Sequence, residues 1–207
     1  MTISSSKENI LKKIRQALSN PVRVPFPKSE GNNSVFMPAS QELEIEFAEE
    51  FTKLLGKFAF CIDQSDLQQQ LQQLVIERKW ENIYCAENEI QPLLPFSNSS
   101  SLAGCDAAIT SCEYLIARTG SIVMSSAQPF GRTANLYAPV HICIAFVDQL
   151  VYDIKEGLQL LKDKYPGNLP SLITFATGPS RTADIEKTLV VGVHGPKEVY
   201  LFLVDKR

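Results

Sequence analysis

Apolar residues in this chain fall at helical spacing in some segments and at strand spacing in others. Residues 6–18 place Ile10, Leu11, Ile14 and Leu18 on one helical face, with Ser6 as cap. Residues 40–56 carry a second stripe of Leu43, Phe47, Phe51 and Leu54. The chain then alternates. Strands are predicted at 58–62, 82–86, 107–110, 121–126, 140–146, 171–177 and 198–204, with helices at 65–79 and 149–165. In the last helix Leu150, Ile154, Leu158 and Leu161 face inward. The runs "ICIAF" and "LFLV" are apolar at both parities, as central strands covered on both faces should be. Strands interrupted by helices predict an α/β fold, a mostly parallel sheet flanked by helices.

Between the first two helices, "NPVRVPFPKSEGNNSVFMP" carries four prolines and no periodicity. Its Phe26, Val35, Phe36 and Met37 mark an extended arm that lies against something apolar, either its own body or a neighbouring subunit of a homo-oligomer. The expected division is an N-terminal helix and arm over 1–39 and an α/β domain over 40–207.

Composition narrows the function classes. With 44% apolar and 21% charged residues in 207, the chain can bury a sizeable core. A net charge of −3 leaves no basic surplus for nucleic-acid phosphates. No apolar run approaches a membrane span, and the N-terminus has no signal-peptide stretch, so a cytoplasmic protein is expected. The five cysteines, Cys61, Cys85, Cys105, Cys112 and Cys143, form no CxxC pair. Those at 61, 85 and 143 read as reduced core thiols. With only His141 and His194 as histidines, no metal site or other cofactor is expected in this chain.

Three stretches have the character of ligand-binding strand ends. In "TFATGPSRTADIE", Gly178 turns the backbone, and Ser180 and Thr182 cap a helix expected over 183–189. Arg181 supplies a planar fork for carboxylate or phosphate. The plainer reading is a capped turn with Arg181 in a salt bridge. In "CEYLIARTGSIVMSS", Arg118, Thr119 and Gly120 repeat the combination. Glu113 there is a general base if burial raises its pKa, or else a carboxylate paired with an arginine. In the third, "SSAQPFGRTANLYAPVHICIAF", Arg132 is a cation on a flexible loop and His141 is either a catalyst or a structural histidine, as is His194 in "VGVHGP". No nucleophile elbow, Walker loop or dinucleotide fingerprint is present.

Together, "CEYLIARTGSIVMSS…GR…PVHICIAFVDQLV" and "TGPSRTADIEKTLVVGVHGPKEVYLFLVD" resemble the LUD-domain family, most closely its lactate utilization protein C branch, strongly over about 100–205 and weakly from 40 on. The resemblance implies a fold like that of the phosphosugar isomerase and coenzyme A transferase superfamily. It also implies a part in oxidising L-lactate to pyruvate beside iron–sulfur partner proteins, with the clusters on those partners. Many relatives carry a glutamate in an Ala-Glu-Thr-Gly version of residues 117–120. Here Arg118 stands in its place, so that glutamate's role does not carry over, and Glu113 is the carboxyl left to substitute. The alternative to a subunit role is a stand-alone binder or enzyme for a small carboxylate, sugar phosphate or coenzyme A thioester. A module without a ligand is the third reading.

Overall fold

The computed structural model describes residues 5–19, 38–39, 41–97, 99, 101–130, 132–185 and 188–205. It divides into two units, Met1–Pro38 and Ala39–Arg207. The first contains helix α1 (Ser5–Ser19), on which Ile10, Leu11 and Ile14 are exposed. The stretch read as an arm lies, apart from Pro38, outside the described residues.

In the second unit, helix α2 (Leu43–Lys53) precedes strand β1 (Lys57–Cys61) and helix α3 (Gln64–Arg78). Asp63 caps α3 by accepting from the Asp66 backbone N–H. Strands β2 (Ile83–Tyr84), β3 (Ala107–Thr110), β4 (Tyr114–Ile116) and β5 (Ser121–Ser125) follow. Next come α4 (Ala134–Tyr137), β6 (Val140–Phe146), β7 (Leu150–Val151), α5 (Ile154–Lys164) and β8 (Ile173–Ala176). The chain ends through β9 (Arg181–Ile185), β10 (Thr188–Val191) and β11 (Glu198–Val204).

The α/β expectation holds. Strands β1, β11, β6, β3 and β2 form a parallel sheet in that order. A second, mixed sheet runs β7-β4-β5-β8. The two-parity reading of the central strands is also met. Ile142, Ile144 and Phe202 face α3 with Leu67 and Leu71, while Cys143, Ala145 and Leu201 face Phe47, Phe51, Leu115 and Met124. Small Ala108, Cys143 and Ala145 on that second face let the other sheet and α2 approach closely. Helix α5 covers the far side of the mixed sheet through Leu161, against Ile116 and Val123.

Two expectations change. The helix predicted from 149 starts at Ile154, because Asp153 caps it by accepting from the Lys155 N–H at 2.9 Å; Leu150–Val151 instead pairs as a strand with Leu115–Ile116. The helix expected over 183–189 is a hairpin of β9 and β10. Thr182, Ile185, Thr188, Val190 and Val191 are β-branched, and that content outweighs the apparent cap. No helix N-terminus therefore stands behind the Gly178–Thr182 turn.

Candidate functional site

Because the five strands of the parallel sheet run the same way, the loops after β1, β2, β3 and β6 gather on one side, where open α/β sheets bind ligands. A cavity of about 730 Å³ lies there. Its walls include Glu87 after β2, Ser111 after β3, Gln128 after β5, Gln149 after β6, and Lys164 and Tyr165 at the end of α5.

Two buried carboxylates stand at this cavity. Glu87 is on its wall and 5% exposed. One oxygen accepts from the Ser111 backbone N–H at 2.6 Å and the other from the Ser111 hydroxyl. Burial pushes the Glu87 carboxyl up from its ordinary range. The Ser111 bonds pull it back, and the charges of Glu89 and Glu113 push it further up.

Glu113 lies behind the wall, its side chain wholly buried. Its Oε1 accepts from the Ser125 hydroxyl at 2.5 Å and the Tyr165 hydroxyl at 2.9 Å, and its Oε2 accepts from Lys164 Nζ at 2.7 Å. Partial burial works against the Lys164 ammonium. The bond and charge of Glu113 outweigh it, so Lys164 titrates above its ordinary value. Burial and Glu113 likewise push the Tyr165 phenol up.

Gln128 ties the two carboxylates together. Its Nε2 donates to Ser111 Oγ at 2.9 Å, and its Oε1 accepts from the Ser125 N–H at 2.9 Å. The cavity lining thus offers an ammonium, a phenol, a serine hydroxyl and a buried carboxyl whose pKa burial raises.

Of the residues singled out from sequence, only Glu113 belongs here. It is buried and paired, but its ionic partner is Lys164 rather than an arginine. His141 is 1% exposed at the start of β6, and its Nε2 is 2.8 Å from Thr110 Oγ1. Burial lowers its pKa to about 4, so it is a neutral core histidine. The sign of its effect on stability follows. The unfolded chain takes up a proton near pH 6.5 that the fold refuses until about pH 4. The stabilisation is whole above 6.5 and lost as pH falls through that window. Glu87 acts in the opposite sense, so the comparison is with His141→Gln. Urea denaturation should show wild type losing about 2–3 kcal/mol more than the variant between pH 7 and 4.

Arg118 donates from Nε to Asp153 at 2.6 Å. Thr119, Ser121 and Thr177 form a chain of hydroxyl bonds, each 2.8 Å long. Gly120 and Gly178, both at positive φ, are points of close approach to α2. A β-carbon at Gly120 would meet the Phe51 backbone N at 2.5 Å, and one at Gly178 would meet the Leu54 carbonyl at 2.4 Å. Arg132 bonds Ser171, beyond the opposite end of β8 from Thr177 and Gly178. Ser180 is knit by its backbone to Gly192 and Pro196. Arg181, exposed, and Thr182 lie on β9 opposite Val191 and Val190. His194 is exposed in the turn before β11 and lines a separate cavity of about 500 Å³ with Tyr137 and Lys197. That cavity adjoins the amino ends of β6 and β11, the other edge of the parallel sheet from Glu87. Arg118, Arg132 and His194 thus have separate surroundings: Asp153, Ser171 and the cavity with Tyr137 and Lys197.

Glu87, Ser111, Gln128, Lys164 and Tyr165 escaped sequence reasoning. The available signal was an acidic residue three positions beyond the short apolar strand β2, in "IYCAE". Among the described residues, no group of three or more His, Cys, Asp or Glu is placed to hold a metal ion, and no helix is long and apolar enough to cross a membrane.

Comparison with known proteins supplies the lineage. A lactate utilization protein C of Deinococcus radiodurans is 33% identical over 111 residues, 53% of this chain and 51% of that protein. One from Halalkalibacterium halodurans is 38% identical over 104 residues, 49% of this chain and 45% of that protein. The chain thus spans about half the length of the curated relatives it matches. The crystal structure of a DUF162 family protein from Deinococcus radiodurans is similar with a TM-score of 0.56 at 19% identity, covering 78% of this chain and 96% of that one. That likeness shows the fold. The LUD domain model matches residues 96–204, a span that holds Ser111, Glu113, Gln128 and Lys164 and exceeds half of the chain, and the chain therefore belongs to the LUD domain family.

Proposed function

We propose that this protein serves lactate utilization by binding a small 2-hydroxy or 2-oxo carboxylate in the cavity at the carboxyl ends of the parallel strands. The observation that carries this reading is the convergence of Lys164, Tyr165, Ser111 and the buried Glu87 on that cavity. Lys164 uses one ammonium donor on Glu113, and its side chain is 51% exposed, which leaves donors for a ligand carboxylate. Ser111 and Glu87 face the neighbouring hydroxyl or keto oxygen. Oxidation of lactate needs an electron acceptor, and that part belongs to iron–sulfur partner proteins. The names of the relatives support the process, and the cavity supports the ligand class.

Binding is measured by calorimetry and thermal shift with L-lactate and pyruvate. Ligand at about 100 times its dissociation constant adds roughly 2.7 kcal/mol to stability. The shift should appear in wild type and be lost in Lys164→Gln, which keeps a neutral donor near Glu113 without the charge. No response to either acid contradicts the reading. The partner role fails if coexpressed iron–sulfur proteins never copurify with the chain.

One observation favours a second reading. A cavity of about 730 Å³ has far more room than a three-carbon acid fills and falls in the range of sites for larger ligands. A stand-alone binder or enzyme for a sugar phosphate or coenzyme A thioester is the reading that matches the volume. The same panel, extended to those compounds, separates the two.

A further inference from the structure

An anionic ligand in this cavity meets an unfavourable field. The ionisable groups around Glu87 are Cys85 and Glu89 of its own loop, Cys112 and Glu113 after β3, Cys143 on β6, and Lys164 with Tyr165 at the end of α5. Burial pushes the Cys85 thiol up to about 11 and that of Cys143 well above its ordinary value, and the Tyr165 phenol is also raised. These three are neutral near pH 7. The ligand carboxylate therefore joins Glu87, Glu89 and Glu113, with Lys164 as the cation on the cavity wall. Like charges gathered at one buried site cannot all persist, and the least costly response is for one carboxyl to take a proton.

The hydrogen bonds single out which one. Glu89 is exposed, and water screens it. Glu113 already accepts an ammonium and two hydroxyls. Glu87 is buried, on the wall, and among the described residues has no cationic partner. Its contact with Ser111 can also reverse. With Glu87 ionised, the Ser111 hydroxyl donates to it. With Glu87 protonated, the carboxyl donates to Ser111 Oγ, and the serine proton is released toward the ligand. Gln128 Nε2, donating to the same Oγ, leaves the oxygen room for that exchange.

We propose that the cavity binds its carboxylate ligand together with one proton from solvent, which resides on Glu87 and turns the Ser111 hydroxyl from Glu87 toward the ligand. The inference rests on the reading of this cavity as a carboxylate site. Because the complex holds more protons than the free protein, affinity falls as pH rises, by up to about tenfold per unit above the pKa of free Glu87. Glutamine at 87 reproduces the shape and donor of the protonated acid.

The test is calorimetric titration of pyruvate into the whole chain, in HEPES and in Tris at one pH, repeated from pH 6 to 8. The two buffers differ in ionisation enthalpy, so their difference in heat counts protons. Wild type should take up close to one proton per pyruvate and lose affinity with rising pH. Glu87→Gln should take up none and bind with an affinity that is flat in pH. Tight binding of pyruvate to wild type without proton uptake overturns the inference and leaves the carboxylate site standing. A slope in Glu87→Gln equal to that of wild type also overturns it, by placing the proton elsewhere. Absence of pyruvate binding to wild type removes both.

Discussion

Replacing Gly120 with valine is expected to cost the domain about 4 kcal/mol, enough to leave it largely unfolded at moderate urea. Gly120 sits at φ +58° and ψ +37° after the Ala117–Thr119 turn, a region that a β-branched residue occupies only under strain. Its missing side chain also matters. A β-carbon there would fall 2.5 Å from the Phe51 backbone N, 2.7 Å from the Glu50 carbonyl carbon and 2.8 Å from Phe51 Cα. These are backbone atoms and cannot rotate away. Helix α2 would have to lift off the mixed sheet, carrying Phe47 and Phe51 out of the main core, where both are fully buried. Gly104 separates the two causes. It has φ +75° with nothing within 4 Å of its β-carbon position, so Gly104→Val should cost only the backbone term, about 1–2 kcal/mol. Equal losses by urea denaturation would remove the close-approach explanation.

Glu113→Ala is expected to destabilise by about 3–5 kcal/mol, the range for breaking a buried ion pair from one side. The substitution leaves the buried Ser125 hydroxyl and the Tyr165 phenol without their acceptor and opens a cavity behind the wall. The value should fall toward the lower end, because Lys164 is half exposed and its ammonium can return to water. Glu113→Gln, which keeps the shape, should lie between wild type and alanine. A loss under 1 kcal/mol for alanine would mean that the cluster holds itself together without its carboxylate.

The parallel sheet was legible because its strands state themselves locally. Residues 107–110, 140–146 and 198–204 were found at their observed bounds, as apolar runs too short for helices and flanked by turns. Strands β4 and β7 were missed, since three and two residues carry too little pattern to stand out beside a helix cap. The hairpin at 181–191 was misread because Ser180 and Thr182 imitate a helix start, while the β-branched residues that decide the matter follow them. Gly178 turns the backbone at positive φ as expected, but the approach of α2 to Gly120 and Gly178 left no mark in the sequence. A glycine in a polar turn looks the same whether a ligand or a helix backbone approaches it.

The site was less legible still. Glu113 stood out by charge, but its partner Lys164 is 51 residues away and is brought near by the packing of α5 on the mixed sheet. Arg118, the local arginine, pairs instead with Asp153, the residue that caps α5. Glu87 carries no local mark of its burial, which depends on Ser111 arriving from the neighbouring strand.

The most direct test of the central claim is a thermal-shift titration with pyruvate and L-lactate on three proteins side by side: wild type, Lys164→Gln and Arg181→Ala. If the ligand sits at the carboxyl edge of the parallel sheet, wild type and Arg181→Ala shift alike and Lys164→Gln does not shift. If Arg181→Ala loses the shift and Lys164→Gln keeps it, the ligand belongs to the glycine–arginine turn, and the assignment of the cavity around Glu87 is wrong.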